Sequence, residues 1–189
     1  SENIDFDFGD EEMISRLGAV RKEKIEVNKA SYTTVLLPEM RTVRKSTLHL
    51  LKRFADKGGK VFFMGTPPGF VDGERSDDAS KAYAAFTKVT EAALGKKVGD
   101  SARVVSVTEP DGHEIGPVLS LLKKAEDHSV LFLCNHAEEF RDEQMKYGLV
   151  RDRKLAFPSA KVKLKGEPGA SVFELDLSTG KIWKVKSAF

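Results

Sequence analysis

The chain has 189 residues, of which 40% are hydrophobic and 32% charged, so it is long enough to bury one substantial core. Its formal net charge is +2 and its lysines are scattered among acids, which argues against a nucleic-acid-binding protein. Apolar runs such as 35–37 and 130–134 are too short to cross a bilayer, so no membrane partner is predicted. The single cysteine excludes an internal disulfide but does not fix the cellular compartment.

The amino-terminal segment alternates apolar and acidic residues over 4–8, which predicts a short strand. Asp10 is suited to cap a helix that begins at Glu11, because its carboxylate can accept a hydrogen bond from an N–H of the first turn. Gly18 marks the end of that helix. The aspartates of this segment do not follow a calcium-loop register, so solvent-facing residues and a helix cap are favoured over a metal site.

A nearly continuous apolar run over 32–37 predicts a central, buried strand, which Pro38 ends because proline has no N–H to donate. The segment 44–60 has the spacing of an amphipathic helix that finishes at Gly58-Gly59. A second buried strand follows over 60–65. These elements predict a parallel strand–helix–strand unit.

The middle of the chain continues the alternation of helices and strands. After a loop over 66–78, the pattern predicts a helix over 77–94 and a strand over 102–107. A further helix is predicted over 113–127, with Pro117 tolerated near its start.

The carboxyl-terminal third is rich in strands. Strands are predicted over 129–136, 160–166, 170–177 and 181–186, and the last two form a hairpin around a Ser-Thr-Gly turn. The predicted fold is therefore α/β. It has an open, mostly parallel sheet with helices on both faces, in a flavodoxin-like or Rossmann-like three-layer arrangement, followed by a short β-rich appendage. Residues 1–127 are predicted to form the α/β domain, and 128–189 the start of a β-sandwich or an appended small sheet.

Two groups of motifs carry a resemblance to a known family. The stretch "YTTVLLPEM…RKSTLHLLKRFADKGGKVFFMG" has an aromatic residue, a strand ending in Leu-Pro, a helix, a Gly-Gly pair and another strand, and the tail has "SVLFLCNHAEEF" and "FELDLSTGKIWKV". Together they resemble the glutamine-amidotransferase-like domain of large glycoside hydrolases. That domain is similar to the trimerisation domain of some β-galactosidases and recurs in α-L-rhamnosidases and relatives. The residues that match are Tyr32, 35–38, 48–54, Gly58, Gly59, 61–64, 129–140, Leu175, Asp176, Thr179, Gly180 and Ile182, while Lys181 stands where the family pattern has Glu.

The resemblance implies a non-catalytic accessory domain of a bacterial glycoside hydrolase. Family members carry a catalytic barrel before this region, which the present sequence lacks. The implied partners are the catalytic and β-sandwich domains of the same polypeptide, and self-association and contact with carbohydrate stay open. No cofactor is implied. A parent enzyme that degrades polysaccharides would place the chain in the periplasm or outside the cell.

The alternative reading is an independent amidotransferase-like hydrolase with Cys134 as its nucleophile. Such a cysteine needs a sharp strand-to-helix elbow flanked by glycines, and Leu133 and Asn135 flank it here. We therefore predict that Cys134 is a buried, structural residue of a strand. The histidines do not stand at metal-ligand spacing, so no metal site is predicted.

The candidate contact residues follow the ends of the two best strands, where ligands bind in open α/β sheets. They are Glu39, Thr66, Phe70 and Asp72, with an ordinary surface loop as the alternative. Trp183 is a further candidate, because an exposed indole can stack on a sugar as in a carbohydrate-binding module, although packing over a small sheet is favoured. No pair of carboxylates suggests glycosidase chemistry in this chain.

Overall fold

The computed structural model of the protein describes residues 4–136, 139–140, 151–152, 156–166 and 169–185. The helices among these residues are α1 (Glu11–Leu17), α2 (Lys45–Asp56), α3 (Asp78–Tyr83) and α4 (Glu91–Ala102). The strands are β1 (Gly18–Arg21), β2 (Lys24–Val27), β3 (Ala30–Tyr32), β4 (Thr34–Leu37), β5 (Thr42–Val43), β6 (Lys60–Phe63), β7 (Phe70–Val71), β8 (Glu74–Arg75), β9 (Thr87–Lys88), β10 (Val105–Thr108), β11 (Val118–Lys124), β12 (Ser129–Asn135), β13 (Glu139–Phe140), β14 (Arg151–Asp152), β15 (Lys161–Leu164), β16 (Phe173–Leu175) and β17 (Ile182–Lys184).

These strands are divided among small sheets of two or three strands. The sheets are β1-β2-β3, β4-β6-β9, β5-β7-β8, β10-β15, β11-β12, β13-β14 and β16-β17. The predicted open, mostly parallel sheet of a flavodoxin-like or Rossmann-like three-layer fold is therefore wrong. The parallel sheet stops at β4-β6-β9 because the next strand, β10, pairs antiparallel with β15 from late in the chain.

The predicted strand–helix–strand unit is confirmed in β4, α2 and β6. The two strands are parallel, with Leu37 opposite Phe63. On α2, Phe54 is completely buried. Gly58 has a φ of 88°, and a Cβ at Gly59 would lie only 2.1 Å from the ring of Phe54. The Gly-Gly pair thus ends the helix for two reasons, a left-handed turn and a close approach to the core ring.

Helix α1 also begins and ends where the sequence indicates. An Oδ atom of Asp10 accepts a hydrogen bond of 2.8 Å from the backbone N of Met13, which caps the helix. The N–H of Gly18 donates to the carbonyl of Ile14. A Cβ at Gly18 would lie 2.3 Å from that carbonyl oxygen, so glycine permits this close approach.

Three predicted elements are wrong. Residues 4–8 form no strand, since no described strand pairs with them. The helix predicted over 77–94 is replaced by α3 and the start of α4, because β9 lies between them and pairs with β6. The helix predicted over 113–127 is replaced by the strand β11, which pairs with β12. Its residues alternate between buried or half-buried and exposed, as a strand requires.

Among the described residues, the core consists of three clusters of apolar side chains. The largest gathers α2, α3, β4 and β6 around Phe54, and the second joins β10, β11 and β15. The third places Phe62 of β6 against Val89 and Val98. The first cluster fixes the ends of β4 and β6, where the candidate contact residues begin.

The predicted hairpin near the carboxyl terminus is confirmed. β16 and β17 are antiparallel, and the carboxylate of Asp176 accepts hydrogen bonds from Ser178 and Thr179 in the turn. These bonds, with that from the Ser178 hydroxyl first, lower the pKa of Asp176 to about 2. Residues 137–138 of the family-like motif and residue 186 of the last predicted strand lie outside the described residues. The division into domains at residues 127 and 128 stays a prediction.

Candidate functional site

A shallow groove of about 330 Å³ lies at the carboxyl ends of β4 and β6. Three of the predicted contact residues, Glu39, Thr66 and Phe70, line it. The other lining residues are Met40, Arg41, Pro67 and Gly69. Parallel strands place the segments that follow them at one edge, which is why residues 27 positions apart meet here.

Within the groove, the carboxylate of Glu39 has a fixed position. Its Oε1 atom accepts a hydrogen bond of 3.0 Å from the hydroxyl of Thr66 and one of 3.3 Å from the Thr66 backbone N. Gly65 lies against the same side chain at a φ of 69°, and a Cβ there would come within 2.4 Å of the Glu39 carboxyl carbon. A glycine thus allows the loop to approach Glu39, and Thr66 orients the acid.

A cation and an aromatic ring complete the groove. Arg41 is exposed, and within the described part of the chain no carboxylate forms an ion pair with it. Phe70 is half-buried, with the guanidinium of Arg75 6.0 Å from its ring centroid. The sequence analysis did not identify Arg41, although this residue lies only two positions after Glu39, beyond the same Leu-Pro end of β4.

Asp72, in contrast, has a structural role. Its Oδ1 atom accepts a hydrogen bond of 3.1 Å from the backbone N of Lys45, in the first turn of α2. The preceding N–H, that of Arg44, donates to Oε1 of Glu11 at 2.9 Å. Arg44 itself makes no side-chain cap. Two carboxylates distant in sequence therefore accept hydrogen bonds from two of the free N–H groups at the start of α2.

Trp183 lies on the hairpin β16-β17, in a different sheet from the groove strands. Its indole N–H donates a hydrogen bond of 3.2 Å to the carboxylate of Glu174, which is its cross-strand partner. The side chain is 43% exposed. The structure thus does not bring Trp183 together with Glu39, Thr66 and Phe70 in the groove.

Cys134 lies in a strand, as predicted, but the predicted burial is wrong, because its side chain is exposed. It belongs to β12 and stands opposite Leu119 of β11. No hydrogen bond joins Cys134 to an imidazole among the described residues. The strand continues through Cys134 to Asn135, so no strand-to-helix elbow forms around the sulfur.

The exposure of Cys134 has a simple geometric cause. Alternate residues of the hairpin β11-β12 point to opposite faces, and Val118, Leu122 and Leu131 face the second core cluster. The other face, here called the outer hairpin face, consists of the cross-strand pairs Leu119–Cys134, Leu121–Phe132 and Lys123–Val130. All six residues are exposed. The alternation of period two over 118–124 is the sequence signal for this face. The helix predicted over 113–127 ignores that alternation and therefore does not reveal the face.

Polar side chains elsewhere in the described part of the chain form contacts with one another. No group of three or more His, Cys, Asp or Glu residues within the described ranges is arranged to hold a metal ion. His113 and His128 each contact a neighbouring aspartate, at 3.1 and 2.6 Å. Their hydrogen bonds lower the pKa values of Asp111 and Asp127. None of the helices in the described part of the chain is long and apolar enough to span a membrane.

One carboxylate that sequence reasoning missed is Glu114. Its Oε1 atom accepts a hydrogen bond of 2.9 Å from Arg103 and a very short one from the hydroxyl of Ser106, and Oε2 accepts from the backbone N of Val107 at 3.2 Å. The Glu114 side chain is only 16% exposed. These contacts tie the end of α4 to β10, which is a structural task.

Comparisons of the chain with protein-family models, with curated proteins and with solved structures found no match.

Proposed function

We propose that this chain is a non-catalytic accessory unit of a glycoside hydrolase, which acts through contact with other parts of the same polypeptide. The family part of the proposal is supported by the resemblance of the strand, helix, Gly-Gly and hairpin motifs. It does not rest on the flavodoxin-like fold, which the small sheets rule out. The contact part rests on the outer hairpin face.

That face is the single observation that carries the proposal. Leu119, Leu121, Val130 and Phe132 are 42–55% exposed and lie side by side on two paired strands. Complete burial of such a side chain contributes roughly 1.5–3 kcal/mol, so leaving several together in water is unfavourable. Contiguous exposed apolar patches usually mark contact surfaces. A neighbouring domain that covers this face would recover that free energy.

The groove favours contact over reaction. Hydrolysis of a glycosidic bond ordinarily needs two carboxyl groups, one on each side of the scissile bond. Glu39 is the only carboxylate among the described residues that line the groove, and Asp72 is engaged with the start of α2. Glu39, Arg41 and Phe70 suit hydrogen bonding and stacking against a sugar or a neighbouring loop.

Cys134 provides a direct test because its sulfur lies on the outer hairpin face. Iodoacetamide should label it quickly in the isolated chain. It should react at least tenfold more slowly in the complete polypeptide encoded by the surrounding reading frame. Leu121→Glu, which introduces a charge beside Phe132, should restore fast labelling in the complete polypeptide. Equal labelling rates in the isolated chain and the complete polypeptide would contradict the proposal. So would turnover of aryl glycosides by the isolated chain.

A further inference from the structure

A second cleft, of about 520 Å³, is lined by residues of helices α1 and α2 and by Gly18, the first residue of β1. We call it the α1–α2 cleft. Its volume is in the range of sites that hold small molecules. Among the described residues, none that lines this cleft also lines the groove at the ends of β4 and β6 or belongs to the outer hairpin face. The α1–α2 cleft is therefore a separate candidate site.

The apolar part of the α1–α2 cleft is held in place by the core. Ile14 and Leu50 both line the cleft, and both pack in the first core cluster around Phe54. Gly18 lines it where the chain leaves α1, and a Cβ there would lie 2.3 Å from the carbonyl oxygen of Ile14. Because buried contacts fix these residues, we expect the cleft to be formed before a ligand binds.

The part of the cleft that α2 contributes is basic. His49, Lys52 and Arg53 all line the cleft, and all three are exposed. His49 precedes Lys52 by three positions and Arg53 by four, and residues at these spacings are neighbours on the surface of a helix. Lysine and arginine carry positive charge at neutral pH, and an imidazole can donate a hydrogen bond in either charge state. One turn earlier, the hydroxyl of Ser46 adds a further donor to the same cleft.

The two cations of this cleft are not paired with the acid nearest to them. Asp56 also lines the cleft and stands four positions after Lys52 and three after Arg53. Within the described part of the chain, no ion pair joins Asp56 to either cation. Positive charges at neighbouring positions of a helix repel one another. A bound anion would relieve this repulsion, so charge complementarity points to an anionic ligand.

The donors in the cleft favour a phosphate group over a carboxylate. A phosphate monoester carries about two negative charges at pH 7, which matches the charges of Lys52 and Arg53, whereas a carboxylate carries one. A guanidinium can bind two phosphate oxygens at once, and an ammonium group supplies a point charge. A water molecule occupies roughly 30 Å³ of liquid, so the cleft has room for an organic group beside the phosphate.

We propose that the α1–α2 cleft binds a small organic phosphate. The phosphate group lies among Ser46, His49, Lys52 and Arg53, and the organic part lies beside Ile14 and Leu50. Asp56 is ten residues after Ser46, which is roughly 15 Å along the helix axis, and its negative charge directs the phosphate toward Ser46. The proposal is independent of the proposed function, because it involves neither the groove nor the outer hairpin face.

Calorimetric titration of the native chain tests the ligand class. The probe is glucose 6-phosphate, and glucuronate is the control because it is a sugar with a single negative charge. Glucose 6-phosphate should bind one to one with a Kd below about 1 mM, and glucuronate should bind at least about tenfold more weakly. A lack of saturable binding of glucose 6-phosphate, or equal affinity for glucuronate, would overturn the proposal.

A matched pair of lysine variants tests the position of the ligand. Lys52→Gln should weaken the binding of glucose 6-phosphate by about tenfold or more, because it removes a charged donor from the cleft. Lys45 is an exposed cation of the same helix that is not among the residues lining the cleft. Lys45→Gln should change the affinity by less than about twofold, because salt screens the more distant charge. Equal losses with the two variants would show attraction to the helix as a whole and would contradict the proposed site.

A gain of affinity separates the proposal from a loss of folding. Asp56→Asn removes a negative charge from the cleft, so inorganic phosphate should bind about twofold more tightly or better. A variant that folds poorly cannot produce this result. Unchanged or weaker binding of inorganic phosphate would contradict the placement of the phosphate, whatever the labelling of Cys134 shows for the proposed function.

Discussion

The carboxylate of Glu39 and the side chain and backbone of Thr66 are joined by two hydrogen bonds, of 3.0 and 3.3 Å, across the ends of two parallel strands. This relationship fixes the position of the Glu39 carboxylate in the groove. It depends on the close approach of Gly65, which leads to a first prediction.

Gly65→Ala should displace Glu39 and destabilise the protein. The new Cβ would lie 2.4 Å from the Glu39 carboxyl carbon, and the φ of 69° is itself unfavourable for alanine, by about 1–2 kcal/mol. Gly73→Ala is the matched control, since its φ is 82° but nothing lies within 4 Å of its Cβ. Urea unfolding should show a loss at least about 1 kcal/mol larger for Gly65→Ala. Equal losses would mean that the contact with Glu39 is unimportant.

A second prediction concerns the packing of Gly59 on Phe54. Gly59→Ala places a Cβ 2.1 Å from the ring of a completely buried phenylalanine, so the ring must shift within a packed core. We expect a loss of about 1–3 kcal/mol in the free energy of unfolding. Gly69→Ala, with open space and no positive φ, should change it by less than about 0.5 kcal/mol. A thermal melt in which both variants match the native chain would refute this packing.

Glu114 should contribute more to stability than an exposed acid does. Glu114→Gln removes the charge from a carboxylate that binds Arg103, Ser106 and the backbone of Val107, and we expect a cost of about 1–3 kcal/mol. The control is Glu12→Gln, because Glu12 pairs with Arg16 at the surface, where such pairs contribute about 0.5 kcal/mol. The midpoints of denaturant unfolding, compared at an unchanged dependence of the unfolding free energy on denaturant, would measure the difference in stability between the two variants. A larger loss of stability for Glu12→Gln than for Glu114→Gln would contradict this prediction.

Tyr32 should ionise at unusually high pH. Its hydroxyl donates a hydrogen bond of 2.6 Å to Asp7, and this bond, with burial and the charge of Asp7, raises the pKa of Tyr32 to about 12. Because the folded-state pKa is raised, the stabilisation is complete below pH 10 and is lost between about pH 10 and 12. Asp7→Asn should bring the pKa of Tyr32 back toward 10. Absorbance titration of that variant in a background of Tyr83→Phe and Tyr147→Phe would follow Tyr32 alone, and an unchanged midpoint would disprove the effect.

The sequence predicts the parts of this fold that depend on neighbouring residues. It does not predict which distant strands pair with one another. The Asp10 cap, helix α2 and its Gly58-Gly59 end were predicted because periodicity and glycine chemistry act over a few residues. The three-layer fold was wrong because β10 chooses its partner from β15, more than fifty residues later. No local pattern specifies such a choice.

The same limit explains what was found and missed at the candidate site. Glu39, Thr66 and Phe70 meet because parallel strands end together, which a sequence pattern can indicate. The segment VLSLLKK has apolar positions that fit a helix or a strand, and its pairing with β12 decides between them. A helix over 113–127 offers no strand partner to β12, so the outward direction of Cys134 does not follow from that prediction.

At the start of α2, Glu11 and Asp72 accept hydrogen bonds from backbone N–H groups that lie 33 and 27 residues away in the sequence, respectively. The first turn of this helix is consequently completed only when both the amino-terminal segment and the loop after β7 have docked. A fragment restricted to the strand–helix–strand unit would fray at that turn, even though it contains every residue of the helix.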